Sequence, residues 1–132
     1  MHMTMDVLRG AGTERWALAV DVRPDQVSAT ATDPDGQKWT ADATNLWSAL
    51  RGLRVQLDEV GIRLGLNAAR PDVQPSRMSL QMGGGRQAYA VTLGRPASRE
   101  DLIDVLDPAP LDTVGTVSAQ DDHRQRWLDS LG

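Results

Sequence analysis

The chain has 132 residues, 40% of them hydrophobic and 24% charged, with a formal net charge of -4. That length and balance suit one soluble domain with a real core over residues 1–132, neither two domains nor a disordered chain. Cysteine is absent, which excludes disulfides, zinc–thiolate sites and cysteine nucleophiles, and the acidic balance argues against non-specific nucleic-acid binding, which needs a basic face.

Residues 1–12 are expected to be flexible, with His2 disordered. No signal-peptide core or membrane-length apolar run is visible, so the expected location is the cytoplasm, with no membrane partner. From Arg15 to Arg23, Trp16, Leu18, Val20 and Val22 alternate with polar or small residues, which predicts a half-buried strand. Val27, Ala29 and Ala31 predict a second. Asp33-Pro34-Asp35-Gly36 is a turn, and Trp39 and Ala41 face inward on a third strand. Trp16, Trp39 and Trp47 are the expected bulky core residues, since the chain has no Phe.

A helix is predicted over Asn45–Val60, capped by Thr44 or Asp42. Leu46, Leu50, Leu53, Leu57 and Val60 form its apolar stripe, which should cover the inner face of the meander. Ser48, Arg51, Arg54, Asp58 and Glu59 form its polar side, and Gly61 is a left-handed stop. Ile62 to Leu66 alternates as a fourth strand. Tyr89, Val91 and Leu93 mark another. Leu102–Leu106 reads as a strand, with Ser98 as a helix cap in the alternative. Ser118 with Asp121 predicts a capping box before a polar C-terminal helix docked through Trp127, Leu128 and Leu131. The fold class is therefore α+β: an antiparallel sheet of five or six strands, one long helix on a face, and a C-terminal helix.

The stretch Asn67–Tyr89, NAARPDVQPSRMSLQMGGGRQAY, concentrates special-geometry and polar residues in one connection, which is a functional hint. Two local structures compete. In one, Ser76 caps a short helix with Met78 and Met82 inward and Gly83 as its left-handed stop. In the other, Met78, Leu80 and Met82 alternate on a strand and Gly83-Gly84-Gly85 is a hairpin tip. The helix is the preferred reading. The residues Asn67, Ala69, Arg70, Asp72, Val73, Pro75, Ser76, Met78, Met82, Gly83, Gly84, Gly85, Ala88 and Tyr89 resemble a pattern in a family of small uncharacterised bacterial proteins. That pattern runs N-[GA]-A-R-x-D-V-x-P-S-x-M-x(3)-M-G-G-G-x(2)-A-Y. Ala68 replaces the usual Gly, and Arg77 stands where a small residue is expected. The resemblance implies no activity. It implies that the stretch is a unit rather than an accidental loop.

The chemistry available to that unit is restricted. Arg70 and Arg86 with the glycine N–H groups could bind an anion, but no phosphate-loop or dinucleotide signature is present. Arg70 and Asp72 most simply form an internal salt bridge. Ser76 lacks a base, since His123 lies on the polar terminal helix. Asp121, Asp122 and His123 have no metal-ligand spacing, and no metal or cofactor is expected. The first functional expectation is thus a non-enzymatic partner-binding protein, of accessory or immunity type. It would use its acidic surface, with contacts from Asp121, Asp122, Arg124 and Arg126 or from the 67–89 segment. The alternative is a pocket for a small polar or anionic ligand, with or without catalysis, lined by Asn67, Arg70, Asp72, Ser76, Arg86 and Tyr89.

Overall fold

The computed structural model describes residues 1–132. In chain order it contains β1 (His2–Arg9), β2 (Gly12–Val22), β3 (Val27–Thr32), β4 (Lys38–Ala43), α1 (Leu46–Asp58), β5 (Ile62–Leu64), β6 (Val73–Gln74), α2 (Arg77–Met82), β7 (Gln87–Ala90), β8 (Leu102–Asp104) and α3 (Val117–Ser130). The fold is α+β as expected. Five antiparallel strands form a sheet in the order β4-β3-β2-β1-β5, and α1 lies on one face. The strands from Val73 onward do not join it. They form a second antiparallel sheet, β6-β7-β8.

Where a flexible start over residues 1–12 was expected, His2–Arg9 forms a strand. β1 sits between β2 and β5 inside the first sheet. Met5 and Val7 are buried, and Met3 packs against the same core. These three alternate with Thr4, Asp6 and Leu8, so the segment is a half-buried strand in its own right. One hydrophobic cluster of 22 buried residues runs from Met5 through α1 to Val73, Ala88 and Val105, and so joins both sheets. Trp16 stacks on Trp39 with ring centroids 5.1 Å apart, and the Arg9 guanidinium lies 5.2 Å from the Trp16 ring, a cation–π contact. The Trp16 indole N–H donates to Glu14 at 2.8 Å. The outer sheet face carries cross-strand polar pairs instead, among them Arg15–Asp6 and Thr30–Thr40.

Several helix ends differ from expectation. Asn45 caps α1, accepting from the Ser48 N–H at 2.8 Å, so neither Thr44 nor Asp42 is needed. Gly61 takes the left-handed φ of 73° expected of it. Thr116, not Ser118, caps α3 by accepting from the Ala119 N–H. Asp33 organises the β3–β4 turn. Burial works against its charge, but hydrogen bonds from the Gln37 N–H, Arg9 and the Asp35 N–H outweigh that and hold its carboxyl below the usual carboxylate range.

Candidate functional site

The 67–89 segment contains the short helix and not the hairpin. Ser76 accepts from the Ser79 N–H at 3.0 Å, and the Ser79 hydroxyl accepts from the Ser76 N–H at 2.9 Å. That reciprocal box fixes the start of α2. The expected inner face is inverted. Leu80 packs toward the core, while Met78 and Met82 are 67% and 83% exposed. A six-residue helix has room for one inward side chain near its middle, and residues two positions away on either side point elsewhere.

The triple glycine has a backbone task. Gly83 has φ of -103°, so it is not the left-handed stop. Gly84 and Gly85 take that role, at φ 63° and 79°. The Gly84 carbonyl accepts from the Leu46 N–H at 2.8 Å. A Cβ on Gly85 would come within 2.6 Å of the Trp47 backbone nitrogen. The glycines thus lay backbone against the first turn of α1, where N–H groups lack helical partners. They act as a second cap beside Asn45, not as an anion cradle.

The predicted site residues fall into two groups. Asn67, Arg70, Asp72 and Arg86 belong to one polar chain. Arg70 grips Asp72 through two bonds of 3.0 and 2.6 Å and reaches the Asn67 side-chain oxygen at 3.4 Å. The Asn67 amide donates to the Asp104 carbonyl at 3.0 Å. Arg86 contacts both oxygens of the Asp104 carboxylate at 2.9 Å. All three nitrogens of Arg70 are engaged, whereas Arg86 holds its carboxylate through Nε alone. Ser76 and Tyr89 lie apart from that chain, on the walls of a surface groove.

Two residues that hold this region escape the sequence reading. Gln120 is almost wholly buried. Its side-chain amide donates to the carbonyls of Ala68, Arg70 and Val73 at 2.9 to 3.0 Å. Its side-chain oxygen accepts from Arg54 at 2.8 Å. Only that orientation of the amide aims its two N–H groups at the three carbonyls, sharing one between two of them, and its oxygen at Arg54. Arg54, placed by periodicity on the polar side of α1, is buried and also donates to the Ala68 and Gly115 carbonyls. Burial pushes its guanidinium down to about 10, which still leaves it charged at neutral pH. The expected polar side of α1 is the seat of α3: Arg51 forks onto Asp121 at 2.7 and 2.9 Å, and Asp58 accepts the Val117 N–H. The signal was the ladder Arg51, Arg54, Asp58, a second stripe at helical spacing. Val117 and Gln120 dock α3, and of the residues expected to do so Trp127 is half-buried and donates to the Arg95 carbonyl, while Leu128 and Leu131 are 40% and 41% exposed.

Four concave regions mark the surface. The largest, about 730 Å³, lies between the Val20–Pro24 end of the first sheet and the Leu80–Gly84 turn. Each of its two arginines pairs with a carboxylate through Nε, Arg23 with Asp21 and Arg86 with Asp104. A groove of about 370 Å³ is mostly apolar, with Pro75, Tyr89, Val91, Pro96, Trp127 and Leu131 on its walls. One of about 310 Å³ contains Met78, Met82, Leu102 and again Tyr89. The fourth, about 400 Å³, shares Pro75, Ser76 and Arg124 with the apolar groove and adds Arg51, Arg77 and Asp121. His123 borders none of them, and Ser76 is committed to Ser79, so no Ser-His pair is assembled. No group of three His, Asp or Glu side chains converges as a metal site. No helix is long and apolar enough to cross a membrane. The sequence matches no family model and no curated protein.

Proposed function

We propose that this chain is a small cytoplasmic partner-binding protein with no reaction of its own. One observation carries the reading: large apolar side chains left in solvent border two grooves that meet at Tyr89. Met78 and Met82 border one; Leu131, beside the half-buried Trp127, borders the other. Covering a Met or Leu side chain stabilises a complex by roughly 1.5–3 kcal/mol before the costs of association. Unbranched Met adapts its shape to a partner, and Tyr and Trp are the residue types that most often anchor interfaces.

The alternative, a polar or anionic small ligand held by Asn67, Arg70, Asp72 and Arg86, is disfavoured by their pairing. Binding would have to draw Arg70 from Asp72 or share Arg86 with Asp104. In this reading the resemblance of the 67–89 segment to other small bacterial proteins reflects a shared way of capping a helix and presenting Tyr89.

The test is affinity capture with the purified chain, comparing wild type, the pair Met78→Ser with Met82→Ser, and Val22→Ser. Val22 is also an exposed apolar residue, but it lines the largest cleft. The Met pair should weaken binding of the captured protein at least about tenfold, with an unchanged melting temperature. Equal capture by all three forms would overturn the proposed surface, and loss with Val22→Ser alone would move it to the cleft.

A further inference from the structure

We infer that the partner contributes an acidic peptide segment, which lays apolar side chains along the Tyr89–Trp127 groove and its carboxylates on Arg77 and Arg124. This rests on the partner-binding reading above and specifies the chemistry of what is bound. The Pro75–Ser76 corner separates the apolar groove from the one beside it, and Arg124 borders both. Across that corner the neighbouring groove holds Arg77, Arg124 and the Arg51–Asp121 pair. Charge on the two sides of this surface is therefore unequal: one side is apolar, the other carries two more arginines than its single carboxylate neutralises through Arg51.

The chain is net acidic, and its ion pairs engage Arg9, Arg15, Arg23, Arg51, Arg70 and Arg86. Arg77 and Arg124 are in none of them, and both are exposed. Arg63, Arg95, Arg99 and Arg126 also lack an ion pair, but of the unpaired arginines only Arg77 and Arg124 line a groove. A guanidinium fork takes a carboxylate through two parallel bonds, while its stem can lie along apolar surface. Cations flanking an apolar groove therefore match an extended segment with Asp or Glu next to Leu, Phe or Trp. They also disfavour a basic one, because like charges brought together are repulsive. The net charge alone points to a basic partner; the local charge at the groove points the other way, and contact is governed by the local charge within a Debye length.

The experiment is selection of a random-peptide display library on the full chain, followed by fluorescence anisotropy of the selected peptides. Wild type, Leu131→Ser and the double reversal Arg77→Glu with Arg124→Glu are compared. All three positions are exposed, so melting temperatures should match. The expected peptides combine carboxylates with large apolar residues, bind less tightly as salt rises, and lose at least about tenfold in affinity on double reversal. Selection on the reversed variant should then favour Lys and Arg. Peptides that depend on Leu131 but ignore the reversal would overturn the acidic segment and leave the partner-binding surface standing. If no peptide is enriched, or the enriched ones bind all three forms equally, both readings fall.

Discussion

Residues 1–66 and residues 67–132 solve the same packing problem by different means. The first half uses long regular elements: β2 has 11 residues and α1 has 13. Their apolar faces close on one another, and the backbone groups are satisfied inside the sheet and helix. The second half has strands of two, four and three residues, too short to bury much or to satisfy their own backbone. Side chains do that work instead. Gln120 serves three carbonyls, Arg54 serves two, Gln74 serves those of Pro71 and Gln120, and Asn67 serves that of Asp104. A hydrophobic face tolerates many sequences, because burial is non-directional. A buried polar network has directional bonds and a high cost for each one left unmade.

The comparison makes a strong demand: a glutamine in the second half should matter as much as a core leucine in the first. Leu50→Ala should cost about 3 kcal/mol through lost burial and a cavity. Gln120→Ala should cost about as much, because it strands buried carbonyls and leaves Arg54 short of a partner. Urea denaturation measures both. A Gln120→Ala penalty below about 1 kcal/mol would remove the distinction between the halves. Native-state hydrogen exchange sharpens it further, since protection should fall first at the 68–74 amides in the Gln120 variant.

The seam between the halves comes next. Gly85→Ala forces a side chain into left-handed backbone and against the Trp47 nitrogen, at an expected cost of about 2 kcal/mol. Gly84→Ala, with open space around its Cβ position, should cost about 1 kcal/mol, the backbone term alone. Equal penalties in thermal melts would show that close approach to α1 contributes nothing.

The smallest effect belongs to the Arg51–Asp121 pair between α1 and α3. The hydrogen bond from Arg51 holds the Asp121 carboxyl below its ordinary value, against a smaller opposing effect of burial. A carboxylate depressed in the folded state contributes stability that is present above its unfolded pKa and lost as pH falls through the folded one. Both side chains are near half exposed, so the contribution is about 0.5 kcal/mol at neutral pH. Asp121→Asn should therefore lower stability slightly at pH 7, and its gap from wild type should close on acidification. A gap that persists in acid would mean that Asp121 acts through packing.

Legibility in the sequence follows the same division. The strands from Trp16 and Val27, the α1 stripe from Leu46 to Leu57, the left-handed Gly61 and the Ser76 cap are all written in local spacing. β1 was hidden by its Met-rich start, although Met3, Met5 and Val7 alternate correctly. At the candidate site, the Arg70–Asp72 pair could be read from two neighbours on one side of an extended stretch. The partners of Arg86 and Asn67 could not, because Asp104 lies 18 and 37 residues away. The inward face of α2 was misread because a helix of six residues is too short for a periodic signal.

Local sequence, then, determined most of the strands and helices, though not β1 or β6, that the class is α+β, and that special geometry is concentrated in 67–89. Periodicity and capping act over a few residues, so they survive in one dimension. Tertiary structure alone decided that the later strands form their own sheet, that the polar side of α1 seats α3, and that Gln120 and Arg54 hold the second half together. It also decided that the conspicuous Asn67, Arg70, Asp72 and Arg86 spend their charge and hydrogen bonds inward, while Met78, Met82 and the neighbourhood of Tyr89 face out. Those outcomes depend on bonds between residues as much as 70 positions apart, and a buried donor finds its acceptor only when the whole fold has brought the two together.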